Sequence, residues 1–200
     1  AAEAMPGVLA VLTGADYEAD KLGFVRGISP GKLRDGSPMF RPDRPGLTSD
    51  RVRHVGQAVA LVIAESINQA KDAVEAIAVD YEPLPAHMET ATANAPETTA
   101  LRAEAPNNEA MHAEIGDAAV TDAEMEKADH VTRDTFVVNR VTANTMEPRA
   151  VAAEYDSGRD HFTIYACHQR PYIWRTMMTK YVFGIDEHQM RLIAGDVGGS

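Results

Sequence analysis

Apolar and polar positions change period along the chain, and each change marks an element. Residues 8–12 (VLAVL) form a short apolar run between Pro6-Gly7 and Gly14, which predicts a strand. Residues 21–49 break the pattern with closely spaced Gly and Pro, as in SPGKLRDGSPMFRPDRPG. Proline cannot serve a central strand, so a long irregular connection is expected there. Order returns at 51–57 (RVRHVGQ), a strand candidate in which Gly56 suits a bulge or a close backbone approach. Residues 58–64 (AVALVIA) are continuously apolar, as in a strand buried on both faces. Ser66 can cap a helix running to Ala76, with Ala70, Ala73, Val74 and Ile77 on one side. AVDYEPL (78–84) reads as another strand, closed by Pro83 and Pro85. In this strand–helix–strand unit Val59, Leu61, Ile63, Val74 and Ile77 are the expected core.

Residues 86–114 lose periodicity and are rich in Ala, Thr, Glu, Asn and Pro, as in a connection between domains. Thr121, with Glu124 three positions on, makes a capping-box signature for a short helix ending near Asp129. Strands are expected at 130–141, 150–156 and 161–167, with Ser157-Gly158 turning between the last two. Pro171 suits the first turn of a helix to about Phe183, and Gly184 its C-cap. MRLIAGDV (190–197) is a final strand before Gly198-Gly199-Ser200. There is no internal repeat.

Composition narrows the classes. At 44% hydrophobic and 24% charged, the 200 residues can build a real core in one or two domains. No apolar run approaches the roughly 18 residues of a membrane span. The opening AAEAMPGV lacks the pattern of a signal peptide and an initial Met, so the chain is read as beginning inside a longer protein. Nineteen basic against 30 acidic residues leave a net charge of -11, which argues against a nucleic-acid partner. The single cysteine, Cys167, fits a reducing cytoplasm and cannot form an internal disulfide.

Chemistry-bearing residues are few. Gln169 lies between an apolar strand and Pro171, where an amide can donate to one ligand atom and accept from another, though a solvated loop glutamine would look the same. Gly198-Gly199 could bring backbone N–H groups close to an oxyanion, or could be an ordinary turn. Glu147, held extended by Pro148, reads first as an ion-pair partner of Arg149 or Arg140. Cys167 and His168 would point to opposite faces of a strand, so Cys167 reads as a buried structural residue. The seven histidines show no zinc-type spacing.

The stretches MPGVLAVLTGAD and SDRVRHVGQAVALVIAESINQAKDAVEAIAVDYEPLPA closely resemble the a/b hammerhead domain of the xanthine dehydrogenase/aldehyde oxidase family. The likeness is to its molybdopterin-binding large subunit, above all to bacterial carbon-monoxide-dehydrogenase-like large chains. It continues through GDAAVTDAEMEKADHV, NTMEPRAVAAEYD, YACHQRPYIWR and RLIAGDVGGS, in the expected order over nearly the whole chain. The resemblance implies an α+β fold. An N-terminally truncated hammerhead (1–85) and a linker (86–114) would precede the first part of a mixed α/β molybdenum-cofactor-binding domain (115–200).

It also implies site residues. The glutamine of a CHQRP-like strand end, Gln169 here, would place its amide near an oxo ligand of molybdenum. Gly198, Gly199 and Ser200 match the first half of a Gly-Gly-x-Phe-Gly loop that approaches the cofactor. The catalytic glutamate and the substrate loops would lie beyond Ser200, so no catalytic base is expected in this stretch. The implied cofactor is molybdenum-molybdopterin in its cytosine dinucleotide form. Iron–sulfur clusters and FAD would sit on partner domains or subunits of a hetero-oligomer. The implied reaction is hydroxylation of a small aldehyde or N-heterocycle, or carbon monoxide oxidation, with water as oxygen source. A non-catalytic assembly module is the alternative, and a metal-free hydrolase has little support because no nucleophile–base pair is apparent.

Overall fold

The strand foreseen near the N-terminus is β1 (Val8–Thr13), and α1 (Gly14–Ala19) follows it directly. Thr13 closes the turn between them: its backbone N–H and its hydroxyl both donate to an Asp16 oxygen at 2.7 Å. Those hydrogen bonds hold the Asp16 carboxyl below its ordinary range. This computed structural model describes residues 1–28, 30–139, 141–142 and 144–199. Among them β2 (Ala60–Ala64) pairs antiparallel with β1, and α2 (Ile67–Glu75) packs on the pair.

The described residues of 21–49 form the expected irregular connection, carrying only isolated bridges such as Val25 with Arg44. Residues 86–114 pack on it: the Phe40 N–H donates to Ala110 at 2.9 Å, and the His112 N–H to Lys32 at 2.8 Å. The connection also touches the second half of the chain, where Gly23 donates to Val182 at 2.7 Å. A side chain at Gly23 would collide with the Tyr181 carbonyl, so only glycine permits that approach.

The second half builds a three-stranded mixed sheet. β3 (Val151–Asp156) pairs antiparallel with β4 (His161–Ala166), and β4 runs parallel to β5 (Met190–Ile193). The crossover from β4 to β5 is helical. α4 (Pro171–Thr176) continues as a π-helical stretch, Met177–Phe183, which Gly184 ends in the left-handed conformation at φ 66°. Met177, Thr179 and Val182 of this helix and Met190 of β5 are the buried residues here, and Phe162 stacks on Phe183 with centroids 6.0 Å apart.

Several expectations are corrected. Residues 51–57 turn rather than extend, because the Gln57 side chain accepts the Arg53 N–H at 2.8 Å and its own N–H returns to His54. Residues 78–84 are exposed and unpaired, so the anticipated strand–helix–strand unit stops after α2; Pro83 and Pro85 bring no N–H to a ladder. Residues 130–139 and 141 form no strand, since no edge among the described residues receives them. The helix placed at Thr121 is α3 (Ala118–Glu126), capped by Asp117, whose carboxylate accepts the Val120 N–H at 3.0 Å. Thr121 lies inside that helix and returns its hydroxyl to the Asp117 carbonyl.

The expected core is also revised. Leu61, Ile63 and Val74 are exposed, Val59 and Ile77 half-buried, and it is Ala73 of α2 that is fully buried. A two-stranded sheet with a helix on one face leaves its other face uncovered, so alternate positions of β2 point outward. No helix among the described residues is long and apolar enough to cross a membrane.

Candidate functional site

β4 and β5 are parallel neighbours whose last registered pair is Tyr165 with Ile193. Their carboxyl ends therefore open on one edge of the sheet, the edge where open α/β sheets place ligands. β3 is antiparallel and starts at that edge, with Val151 opposite Ala166. Topology thus brings 144–150, 167–170 and 194–199 together, although up to about fifty residues separate them in sequence.

Gln169 stands at this edge with an exposed side chain, and no hydrogen bond to its amide is found among the described residues. The next residue, Arg170, is left-handed at φ 56° and ψ 58° and serves as the N-cap of α4. A bulky residue there is strained, and such strain concentrates at functional turns. His168 lies behind the loop: its ring tilts against Trp174 at 6.1 Å, and its Nε2 is buried without a partner among the described residues. The Cys167 Sγ lies 3.7 Å from the carbonyl oxygens of both Pro148 and Ala150, which share its one S–H. Cys167 is half-buried rather than buried.

Past β5, the Gly198 N–H donates to Glu147. Gly199 has φ 138°, and a side chain on it would lie 2.6 Å from Thr145 Cγ2. Ser200 lies outside the described residues. The ion pair anticipated between Glu147 and Arg149 is absent among the described residues, and Arg140 lies outside them. The carboxylate takes a backbone N–H from a loop remote in sequence instead. Sequence reading missed this role; its one available signal was the Glu-Pro pair, which fixes the Glu147 backbone without telling what the side chain meets. At the end of α4, the Thr176 hydroxyl and Arg175 donate, at 2.6 and 2.8 Å, to Glu187 of the short 3-10 turn before β5, and the Glu187 carboxyl is held below the ordinary range, chiefly by the Thr176 bond.

Among the described residues no group of three or more His, Cys, Asp or Glu could hold a metal ion. What the edge offers instead is the Gln169 amide, without a hydrogen bond among the described residues, and a glycine turn. That set suits a metal carried by an organic group of its own, gripped through hydrogen bonds and close backbone approach.

Comparison with known proteins identifies the domains that carry this edge. Residues 1–85 match the aldehyde oxidase and xanthine dehydrogenase a/b hammerhead domain, and residues 87–200 match the molybdopterin cofactor-binding domain. The carbon monoxide dehydrogenase large chain of Afipia carboxidovorans is 32% identical over 211 residues, covering 99% of this chain and 24% of that protein. Carbon monoxide dehydrogenase from Oligotropha carboxidovorans superposes with a TM-score of 0.81 at 29% identity, over 100% of this chain and 25% of the other. Quinoline 2-oxidoreductase from Pseudomonas putida 86 superposes at 0.77 and 29% identity, over 100% and 24%. The chain spans about a quarter of the length of these curated relatives. With its hammerhead followed by part of a mixed α/β cofactor-binding domain, the chain belongs to the xanthine dehydrogenase, aldehyde oxidase and carbon-monoxide-dehydrogenase-like large-chain family.

Proposed function

We propose that this chain is part of a molybdenum hydroxylase large subunit that oxidises a small molecule, an aldehyde, an N-heterocycle or carbon monoxide. The observation that carries the reading is the parallel pairing of β4 and β5, which sets Gln169 and Gly198-Gly199 on one edge. When bound, molybdenum-molybdopterin, in the cytosine dinucleotide form, supplies the two-electron centre at which water-derived oxygen reaches the substrate.

The chain's own residues bind and orient. The Gln169 amide donates to an electronegative ligand of the group, where fixed dipoles stabilise changing charge. The turn at Gly198 and Gly199 brings backbone close to it, and Ser200, outside the described residues, is proposed as a further contact. No proton acceptor is assigned within the chain, and by itself the chain is inactive. Iron–sulfur and flavin partners in a hetero-oligomer would take up the electrons. The free thiol of Cys167 suits a reducing, cytoplasmic compartment. The division into hammerhead 1–85, linker 86–114 and cofactor-binding region 115–200 is part of the same proposal. A second reading, a non-catalytic assembly module, draws on the exposed apolar segment around Phe136, Val137 and Val138.

The test uses the intact protein that carries this chain, purified with its partners from molybdate-fed cells. Metal analysis should find about one molybdenum per chain, and acid hydrolysis should release cytidine monophosphate. Carbon monoxide, an aldehyde or an N-heterocycle should reduce an added dye. Folded protein lacking both metal and nucleotide, yet complexed with partners, establishes the assembly reading instead.

A further inference from the structure

We propose that Glu147 is a positioning residue whose carboxylate holds the Gly198-Gly199 turn in the shape that cofactor binding requires; the inference rests on the function proposed above. Three features of segment 145–150 carry it. First, the Gly198 N–H donates to the Glu147 carboxylate across 51 positions of sequence. A hydrogen bond to a charged acceptor is stronger than one between neutral groups. The first N–H of the glycine pair is thus committed to protein, and what the turn presents to a ligand is a shape that Glu147 sets.

Second, the two segments approach more closely than side chains allow. A Cβ on Gly198 would lie 2.6 Å from Glu147 Cβ, and one on Gly199 would lie 2.6 Å from Thr145 Cγ2 and 3.0 Å from Thr145 Cβ. The glycines are therefore needed toward segment 145–147, not only toward a ligand. Gly199 also has φ 138°, a conformation that other residues rarely adopt.

Third, the segment that presents Glu147 is itself tied down. The Thr145 hydroxyl donates to the Glu147 carbonyl at 2.9 Å, and Pro148 keeps Glu147 extended. The one S–H of Cys167, two residues before Gln169, is shared by the Pro148 and Ala150 carbonyls. Segment 145–150 therefore touches the glycine turn at one end and the loop of Gln169 at the other. Glu147 is the charged link in that brace.

The test compares Glu147→Gln and Glu147→Met in the intact protein with its partners. Both variants fill the space, but only glutamine keeps an acceptor for the Gly198 N–H. Molybdenum and nucleotide per chain are measured beside Tm. The expected result is E147M with a Tm near wild type and cofactor content lowered about tenfold or more, the size of losing one charge-assisted hydrogen bond, and E147Q in between, a few-fold below wild type at most, because its neutral amide oxygen still accepts, but more weakly. E147M with wild-type content overturns the proposal. So does E147Q losing as much as E147M, because accepting the hydrogen bond is then not what matters. E147M that fails to fold beside a normal E147Q makes Glu147 a folding residue and also overturns it. Wild-type protein without molybdenum or nucleotide sinks the functional reading itself, an outcome distinct from these.

Discussion

The Gln169 side chain is exposed and without a hydrogen bond among the described residues, so its removal costs the fold little. Under the proposed function, its place just past the carboxyl end of β4 makes its loss costly to activity. Gln169→Ala in the intact enzyme should lower turnover per bound molybdenum by about 10²–10³, the usual loss for one preorganised donor, with stability within about 0.5 kcal/mol of wild type. Steady-state assays at matched metal content decide this, and wild-type turnover would return Gln169 to the solvated loop residue its sequence position equally allowed. Gln169 and the glycine pair were legible as candidates from their junctions with strands. The role of Glu147 was not, because its partner lies 51 residues away and only the sheet brings the two together. Strain at Arg170 was also invisible, since nothing in Gln-Arg-Pro forces a left-handed residue.

Among the elements, α2 shows how far local chemistry reaches. Ser66 accepts the Gln69 N–H and donates to the Gln69 side chain at 2.7 Å, so both ends of the capping interaction are local in sequence. Ser66→Ala should therefore cost about 1 kcal/mol, read as a lowered denaturant midpoint at unchanged slope. An unchanged midpoint would mean that packing of Ala73 holds the helix without its cap. Helix α2 was legible for this reason, and so was the end of the β4–β5 crossover at Gly184, whereas α1 went unread and the cap of α3 proved to be Asp117 rather than Thr121. Strands were legible only where a neighbour exists. β1, β3 and β4 lie where alternation and turns placed them, and β5 is shorter, ending at Ile193. Residues 51–57, 78–84 and the described part of 130–141 have strand-like composition without strand structure, because a strand is completed by hydrogen bonds from another segment.

Across the whole molecule, apolar surface is unusually open. Phe136, Val137, Val138, Val141 and Met146 are each more than four-fifths exposed. Leu61 and Ile63 add the outer face of the hammerhead sheet. Surface of this kind normally marks an interaction site. Expressed by itself, the 200-residue chain should bind a hydrophobic dye and associate with rising concentration, despite its net charge of -11. Light scattering that finds a dye-silent monomer at all concentrations would contradict this.

By itself the sequence determined part of what depends on neighbours along the chain: the cap and period of α2, the turn at Ser157-Gly158, the irregular proline-rich connection and the order of family motifs. It also determined the acidic charge and the absence of a disulfide. The tertiary structure decided everything that needs a second segment. It determined which apolar runs became paired strands and which face of β2 lay open. It set the Gln169 loop and the glycine turn on one edge, and it gave the Glu147 carboxylate a backbone N–H rather than an arginine. The physical reason is the same throughout: turns and caps are satisfied within a few residues, whereas ladders, burial and close backbone approach are satisfied only by partners that folding brings from far along the chain.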